Sequence, residues 1–284
     1  MNRIIGYVCT NFNNSAFTVR AVETLIQSCG DRARIVVVDN ASSESAVEEL
    51  RCLEKKHTAL KVFASGDNVG YFSGLNIGLS LLREWVPEVE LVVVGNNDLE
   101  FPDEFADRLD GCNVVFNSYP VVSPDVVTLD GVHQNPHVVS GISKLRRCVY
   151  ECYYSSYSVA RCMLKIAQWT NRWTGRRDGE EWRSPRVIKE GHGSCYILGP
   201  RFFSEFGQLW APSFLMGEES FLSMQLRHKG ESVYYEPSIR VLHHYHAAMA
   251  KVPARRIWEY GRMAHKLAKR HENQLRQGGR SPRE

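Results

Sequence analysis

The chain has 284 residues and a mass of 32.4 kDa, long enough to bury a real core, and 43% of it is hydrophobic. Charged residues make up 24%, close to the globular average, which argues against global disorder, and no apolar run approaches the ~20 residues of a membrane span. The formal net charge of +3 hides a division: residues 1–140 carry −9, 141–190 carry +6, 191–250 carry −1 and 251–284 carry +7. An acidic front half joined to two basic segments predicts local attraction to an anionic surface, not an even coat of nucleic acid. Eight cysteines without a C-x-x-C pair exclude a disulfide scaffold and a zinc ribbon, and most are expected as small buried residues of a reduced cytosolic protein. The start, MNRIIGYVCT, lacks the basic front and cleavage site of a signal peptide, so an intracellular, cytoplasmic location is expected.

The first hundred residues alternate in period. Arg3 to Cys9 is a β-rich run, and Ser15 to Cys29 spaces Phe17, Val19, Val22, Leu25 and Ile26 as a helix does. Arg34 to Val38 is a β-branched strand ending at Asp39. Ser45 to Lys56 is helical, Leu60 to Ala64 is a third strand, Tyr71 to Trp85 is a helix with Leu75, Leu79 and Leu82 on one face, and Val89 to Val94 is a fourth strand. This β-α-β-α-β-α-β order predicts an α/β fold with a mostly parallel central sheet and helices on both faces. Such sheets bind ligands at the carboxyl ends of their strands. Four polar loops follow those ends: Thr10 to Asn14, Asp39 to Ser43, Gly66 to Gly70 and Gly95 to Asp98.

Residues 140–185 are a basic insertion rich in Arg, Tyr and Trp. From Tyr157 to Trp173 a helix is predicted, with Val159, Cys162, Met163, Ile166, Ala167 and Trp173 on one face and Arg161, Lys165, Gln168 and Arg172 opposite. Thr174 to Ser184 reads as a loop. Gly193 to Leu198 reads as a strand, Glu218 to His228 as a helix, and Ser232 to Tyr235 and Ile239 to Leu242 as two short strands. A basic helix from about Ala254 to Leu275 follows. The expected division is a domain over 1–250 containing the insertion, then a C-terminal helix and tail over 251–284.

Several residue sets have more than one reading. Asp39 at a strand end suits a base N–H or ribose hydroxyl, and equally a helix cap. Gly70, Gly74 and Gly78 recur every fourth residue. Each glycine inside a helix costs roughly 1 kcal/mol relative to alanine, so they serve either close packing on the sheet or the approach of a phosphate or sugar. The spacing is neither G-x-G-x-x-G nor a P-loop. Asn96-Asn97-Asp98 is either a plain turn or an oxygen-rich seat for a divalent cation beside a diphosphate. Glu218 and Glu219 in a first turn favour the helix dipole, and one of them could deprotonate a hydroxyl. Of His243, His244 and His246, one could ligate a metal through a neutral imidazole.

Taken in order, the motifs T-N-F-N, V-V-V-D-N-A-S-S, N-V-G-Y-F-S-G-L-N-I-G, V-V-V-G-N-N-D, G-S-C-Y-I-L-G, F-L-M-G-E-E-S-F-L and E-P-S-I-R-V-L-H resemble the family 2 glycosyltransferases of the GT-A (Rossmann-like) fold, in particular the bacterial rhamnosyltransferase-like branch, over about residues 3–247. The resemblance implies an inverting, Mg²⁺- or Mn²⁺-dependent transferase. It would move a sugar from a nucleoside-diphosphate sugar, dTDP- or UDP-linked, to a hydroxyl of a saccharide acceptor. It implies that Thr10 and Asp39 contact the nucleoside and that Asn68 and Gly70 border the nucleotide-sugar. Asn11, Asn40, Asn76, Asn96 and Asn97 of the same motifs join that binding set. Asp98 and His243 would serve the metal and diphosphate, with Glu219, or alternatively Glu218, as general base. Two positions depart from the pattern: Asn96 stands where the first acid of D-x-D is found, and Phe221 where a further acid is common. The basic segments with aromatic edges suit a lipid-linked acceptor of bacterial surface polysaccharide synthesis and peripheral attachment to the anionic inner face of the cell membrane, or else amphipathic helices packed on their own domain or at an oligomer contact. The competing readings are a sugar nucleotidyltransferase, disfavoured by the lack of an early glycine-rich activating loop, and a non-catalytic nucleotide-sugar binding module. Oligomeric state is not encoded in these motifs.

Overall fold

A computed structural model describes residues 3–139, 144–170, 181–244 and 254–276. Its first half follows the alternation: β1 (Ile5–Asn11), α1 (Ser15–Cys29), β2 (Ala33–Asn40), α2 (Glu44–Lys56), β3 (Leu60–Ser65), α3 (Tyr71–Trp85) and β4 (Leu91–Asn96). Next come β5 (Leu99–Glu100), α4 (Phe105–Gly111), α5 (Asn113–Ser118) and β6 (Val121–Thr128). Then follow α6 (Lys144–Tyr153), α7 (Tyr157–Thr170), β7 (Arg186–Ile188), β8 (Cys195–Leu198), α8 (Pro200–Glu205), α9 (Glu218–His228), β9 (Val233–His243) and α10 (Ala254–Arg276).

One nine-stranded mixed sheet runs β3-β2-β1-β4-β8-β6-β9-β5, with β7 on β9. The strands β3, β2, β1 and β4 are mutually parallel; β8 is antiparallel to both β4 and β6, and β6 pairs parallel with β9. The parallel part is apolar on both faces because helices cover both. Ile35 and Val37 of β2 join Ile5, Tyr7, Val22, Leu25 and Leu50 under α1 and α2. The alternate residues Val36 and Val38 join Val8, Leu75, Leu79 and Leu82 under α3. Burying each such leucine contributes roughly 1.5–3 kcal/mol.

The three helix glycines serve packing. A Cβ on Gly78 would lie 2.3 Å from Val8 and 3.1 Å from Val38, and one on Gly74 would lie 2.6 Å from Thr10. At Gly70 the backbone has φ +88° and a Cβ would stand 2.2 Å from the carbonyl oxygen of Phe214, so no other residue fits there.

Two expectations are corrected and one strand is added. The two short strands before His243 are one, β9, whose pairing with β6 shifts register between Pro124 and Asp125. Strand β6 was not read from the sequence, because Val121–Thr128 contains Pro124 and Asp125, which depress strand propensity. Cysteines divide evenly: Cys9, Cys29, Cys112 and Cys195 are buried, and Cys52, Cys148, Cys152 and Cys162 are exposed. No described helix is long and apolar enough to cross a membrane. Arg172, Trp173, Arg176, Arg177 and His246 lie outside the described residues.

Candidate active site

Parallel register brings the strand ends level. Asn11 stands opposite Asp39, and Thr10 opposite Asn96. The loops behind them are tied by side chains. The Asn11 amide donates to Asp39 Oδ1 (2.7 Å) and Ser42 Oγ (3.2 Å), and its oxygen accepts from the Thr18 hydroxyl (2.9 Å) and the Asn97 amide (3.1 Å). Asn97 also donates to Thr18 Oγ1 (2.7 Å), and Asp39 Oδ2 accepts the Ser42 N–H (2.9 Å). Asn11, Thr18, Asp39 and Asn97 are all buried, so this network holds three loops in one arrangement. Each Asp39 oxygen keeps further acceptor capacity.

Asn40 donates to the Gly70 carbonyl (3.0 Å), while its buried Oδ1 has no donor among the described residues. Asn68 Oδ1 accepts the Gly70 N–H (3.0 Å) and shapes the turn into α3. Asn76 is occupied elsewhere: its amide donates to the Leu209 carbonyl (2.8 Å) and accepts the Leu209 N–H (2.9 Å). That ties α3 to the 207–209 segment and leaves little capacity for a ligand.

Asp98 and His243, both 3% exposed, meet where β4 ends and β9 ends. His243 Nδ1 lies 2.6 Å from Gln134 Oε1, which requires the ring proton on Nδ1. Nε2 faces Asn96 and Asp98. It receives the Asn96 amide (3.2 Å) and lies 3.2 Å from Asp98 Oδ1, a buried oxygen with no hydrogen-bond donor among the described residues. An imidazole nitrogen and a carboxylate oxygen this close are ligand types that suit a divalent cation. Among the described residues no group of three or more His, Cys, Asp or Glu could hold a metal. A cation at this pair of described residues would need a diphosphate to complete its shell, as hard cations at phosphate sites allow.

Residues 191–194 join this metal-side pair to the helix carboxylates. The His192 ring stands 5.8 Å from that of His243 and 5.7 Å from that of His137. Burial, then its histidine neighbours, pushes the His192 imidazole down to about 3, so it is neutral at physiological pH. The next residue, Gly193, donates its N–H to Glu219 Oε1 (3.2 Å), and a Cβ there would lie 2.6 Å from that oxygen. Glu219 lines a cleft of about 490 Å³ between α6, α9 and α10, whose other walls include Tyr150, Tyr154, Arg147, Lys189, Arg227 and Lys269. Glu218 is buried and accepts the Met216 N–H (2.8 Å). Burial, then the charge of Glu219, pushes its carboxyl up to about 8, so it carries a proton at neutral pH. Glu219 lines the cleft while Glu218 is buried, which sets Glu219, of the two, within reach of a ligand.

Gln134, His137 and His192 were not singled out from sequence. Their signal is two short histidine-bearing segments, G-V-H-Q-N-P-H and G-H-G-S, beside strand ends. Asn135 links them: it donates to Ser123 Oγ (2.9 Å) and accepts the His192 N–H (2.8 Å).

Residues 8–109 match the family model described as glycosyl transferase family 2. No curated protein matches the chain. Solved structures do. A crystal structure of GalNAc-T7 with UDP, GalNAc and Mn²⁺ superposes with a TM-score of 0.56 at 14% identity, covering 84% of this chain and 43% of that one. The mannosyltransferase PcManGT from Pyrobaculum calidifontis, in complex with GDP-Man and Mn²⁺, gives 0.52 at 13%, covering 93% and 69%. S. aureus TarS 1–349 gives 0.51 at 13%, covering 82% and 60%. The chain thus spans less than half the length of the GalNAc-T7 chain. The fold is the GT-A glycosyltransferase fold.

Proposed function

We propose that the protein is an inverting glycosyltransferase that moves a sugar from a nucleoside-diphosphate sugar to a hydroxyl of a saccharide acceptor. The observation that carries this reading is the shared segment 192–194: the His192 ring stands 5.8 Å from that of His243, which is paired with Asp98, and the Gly193 N–H holds Glu219, which lines the cleft. The Mn²⁺ and UDP with GalNAc-T7, and the Mn²⁺ and GDP-Man with PcManGT, support a divalent cation and a nucleotide donor. Residues 1–250 are taken as the transferase domain, with 140–185 as its insertion and 251–284 as a C-terminal helix and tail.

In this reading Thr10, Asn11, Asp39, Asn40, Asn68, Gly70, Asn96 and Asn97 form or support the donor side. Asp98 and His243 would hold Mg²⁺ or Mn²⁺, which when bound neutralises diphosphate charge as the leaving group departs. The acceptor lies in the cleft. Glu219 takes the proton from its hydroxyl as that oxygen bonds to the anomeric carbon and the carbon–oxygen bond to the diphosphate breaks. One base and one displacement invert the anomeric centre. Tyrosine rings and paired charges in the cleft suit a saccharide, whose ring faces are apolar and whose hydroxyls accept bidentate bonds. The dTDP- or UDP-linked donor, the lipid-linked acceptor of a bacterial surface polysaccharide and attachment at the inner membrane face belong to the same proposal.

A thermal-shift panel of nucleoside diphosphates and their sugars, with and without Mn²⁺, tests it. Binding to the folded state raises the melting temperature by mass action. The expected result is a Mn²⁺-dependent shift with one nucleotide; no shift with any would sink the donor assignment.

A further inference from the structure

Two helices of the basic insertion leave an apolar stripe in water. On α6, Leu145, Cys148, Val149 and Cys152 recur at helical spacing and all are exposed, Leu145 by 76%. The opposite side of α6 faces the protein: Tyr154 stacks on His265 with centroids 4.9 Å apart, and Glu151 pairs with Lys269 (2.8 Å). On α7, Ala160 is buried while Val159, Cys162, Arg161 and Lys165 are all exposed, so the cations that the sequence pattern set opposite Val159 share the solvent side with it. Residues 144–170 hold five Lys or Arg against one acid, Glu151.

We propose that this solvent face of the α6–α7 hairpin seats the protein on an anionic lipid bilayer. An apolar stripe flanked by cations suits the headgroup–acyl boundary, where aliphatic side chains enter and Lys or Arg meet anionic headgroups. Charge argues for lipid over a second copy of the chain. A two-fold contact would set Arg161 and Lys165 of one copy against the same positive face of the other. Because α6 also walls the cleft that holds Glu219, a seated hairpin brings the cleft alongside the bilayer. The assignment rests on the proposed function for its purpose, delivery of a lipid-borne acceptor.

The test is co-sedimentation with phosphatidylcholine vesicles with and without phosphatidylglycerol. The full chain should sediment with the anionic vesicles and be released by salt. Arg161→Gln with Lys165→Gln should weaken binding about thirtyfold, from about 1 kcal/mol per cation. Leu145→Asp with Val149→Asp should abolish it, with an unchanged melting temperature since both side chains are exposed. Failure to bind anionic vesicles, or equal binding by these variants, overturns the proposal, as does a dimer in light scattering that Leu145→Asp with Val149→Asp dissolves. Donor binding, followed by calorimetry on the same samples, separates the outcomes. Donor bound without vesicle binding overturns the docking face alone, and loss of donor binding by the wild-type chain counts against the transferase reading.

Discussion

The two sides of the candidate active site use their polar residues in opposite ways. Around the parallel strand ends, Asn11, Thr18, Asp39 and Asn97 are buried and bond to one another. Across the cleft, charges pair over solvent: Arg147 with Glu272 at 3.8 Å, Glu151 with Lys269 and His265. A closed buried network costs much to disturb and fixes geometry in advance. Exposed pairs contribute little to stability and can be exchanged without unfolding the chain. A rigid donor side joined to an adaptable acceptor side would let one chemistry serve different acceptors.

The strongest way to break that contrast is at Glu219. Glu219→Gln should lower transfer about a thousandfold, within the usual range for a general base, while calorimetry shows donor binding retained. Equal loss of both would place Glu219 on the donor side. Next, Asp98→Ala should erase the Mn²⁺-dependent part of the donor-induced melting shift. Gln134→Ala, which frees the ring that Gln134 orients, should raise the Mn²⁺ concentration for half-saturation about tenfold. An unchanged metal response in both would remove the cation from this pair.

Stability should divide along the same line. Asn97→Ala leaves buried partners unpaired and should cost about 1–3 kcal/mol in urea unfolding. Arg147→Ala should stay within about 0.5 kcal/mol yet raise the acceptor KM. The remaining effect is pH-dependent and concerns Glu218. Its carboxyl ordinarily titrates near 4.5, and in the fold it is pushed up to about 8. Between those values the folded state binds more protons than the unfolded one, so stability is full below about 4.5 and falls as pH rises toward 8. Glu218→Gln cannot ionise, so its melting temperature should rise relative to wild type between pH 5 and pH 8. A pH-independent difference would show that Glu218 is not held protonated.

The two basic segments show where sequence reading stops. Both 141–190 and 251–284 combine cations with aromatic and aliphatic residues, and both were expected at a membrane surface. The fold treats them differently. On α10, Trp258 is 7% exposed, Ala264 packs with Phe221 and Met224, and Tyr260 lies 5.3 Å from Phe214. Its apolar side covers α9, the protein's own surface. On α6 and α7 the corresponding side stays in water. Amphipathic period identifies an apolar side but carries no information on what meets it.

The local pattern was sufficient for α1 to α3 and β1 to β4, because short-range periodicity and strand-end loops are properties of contiguous residues. It also brought Asp39, Asn96 and Asp98 to one edge, since parallel strands of like length end together. Long-range pairing lay beyond it. The partnership of β6 with β9 joins segments about a hundred residues apart, and it carries Gln134 and His243 to the same place. That closure sets Gln134 against the His243 ring, while burial and the neighbouring Glu219 push the Glu218 carboxyl up. Each depends on burial and on neighbours distant in the chain, so tertiary structure decides which candidate carboxylate and imidazole stand ready for chemistry.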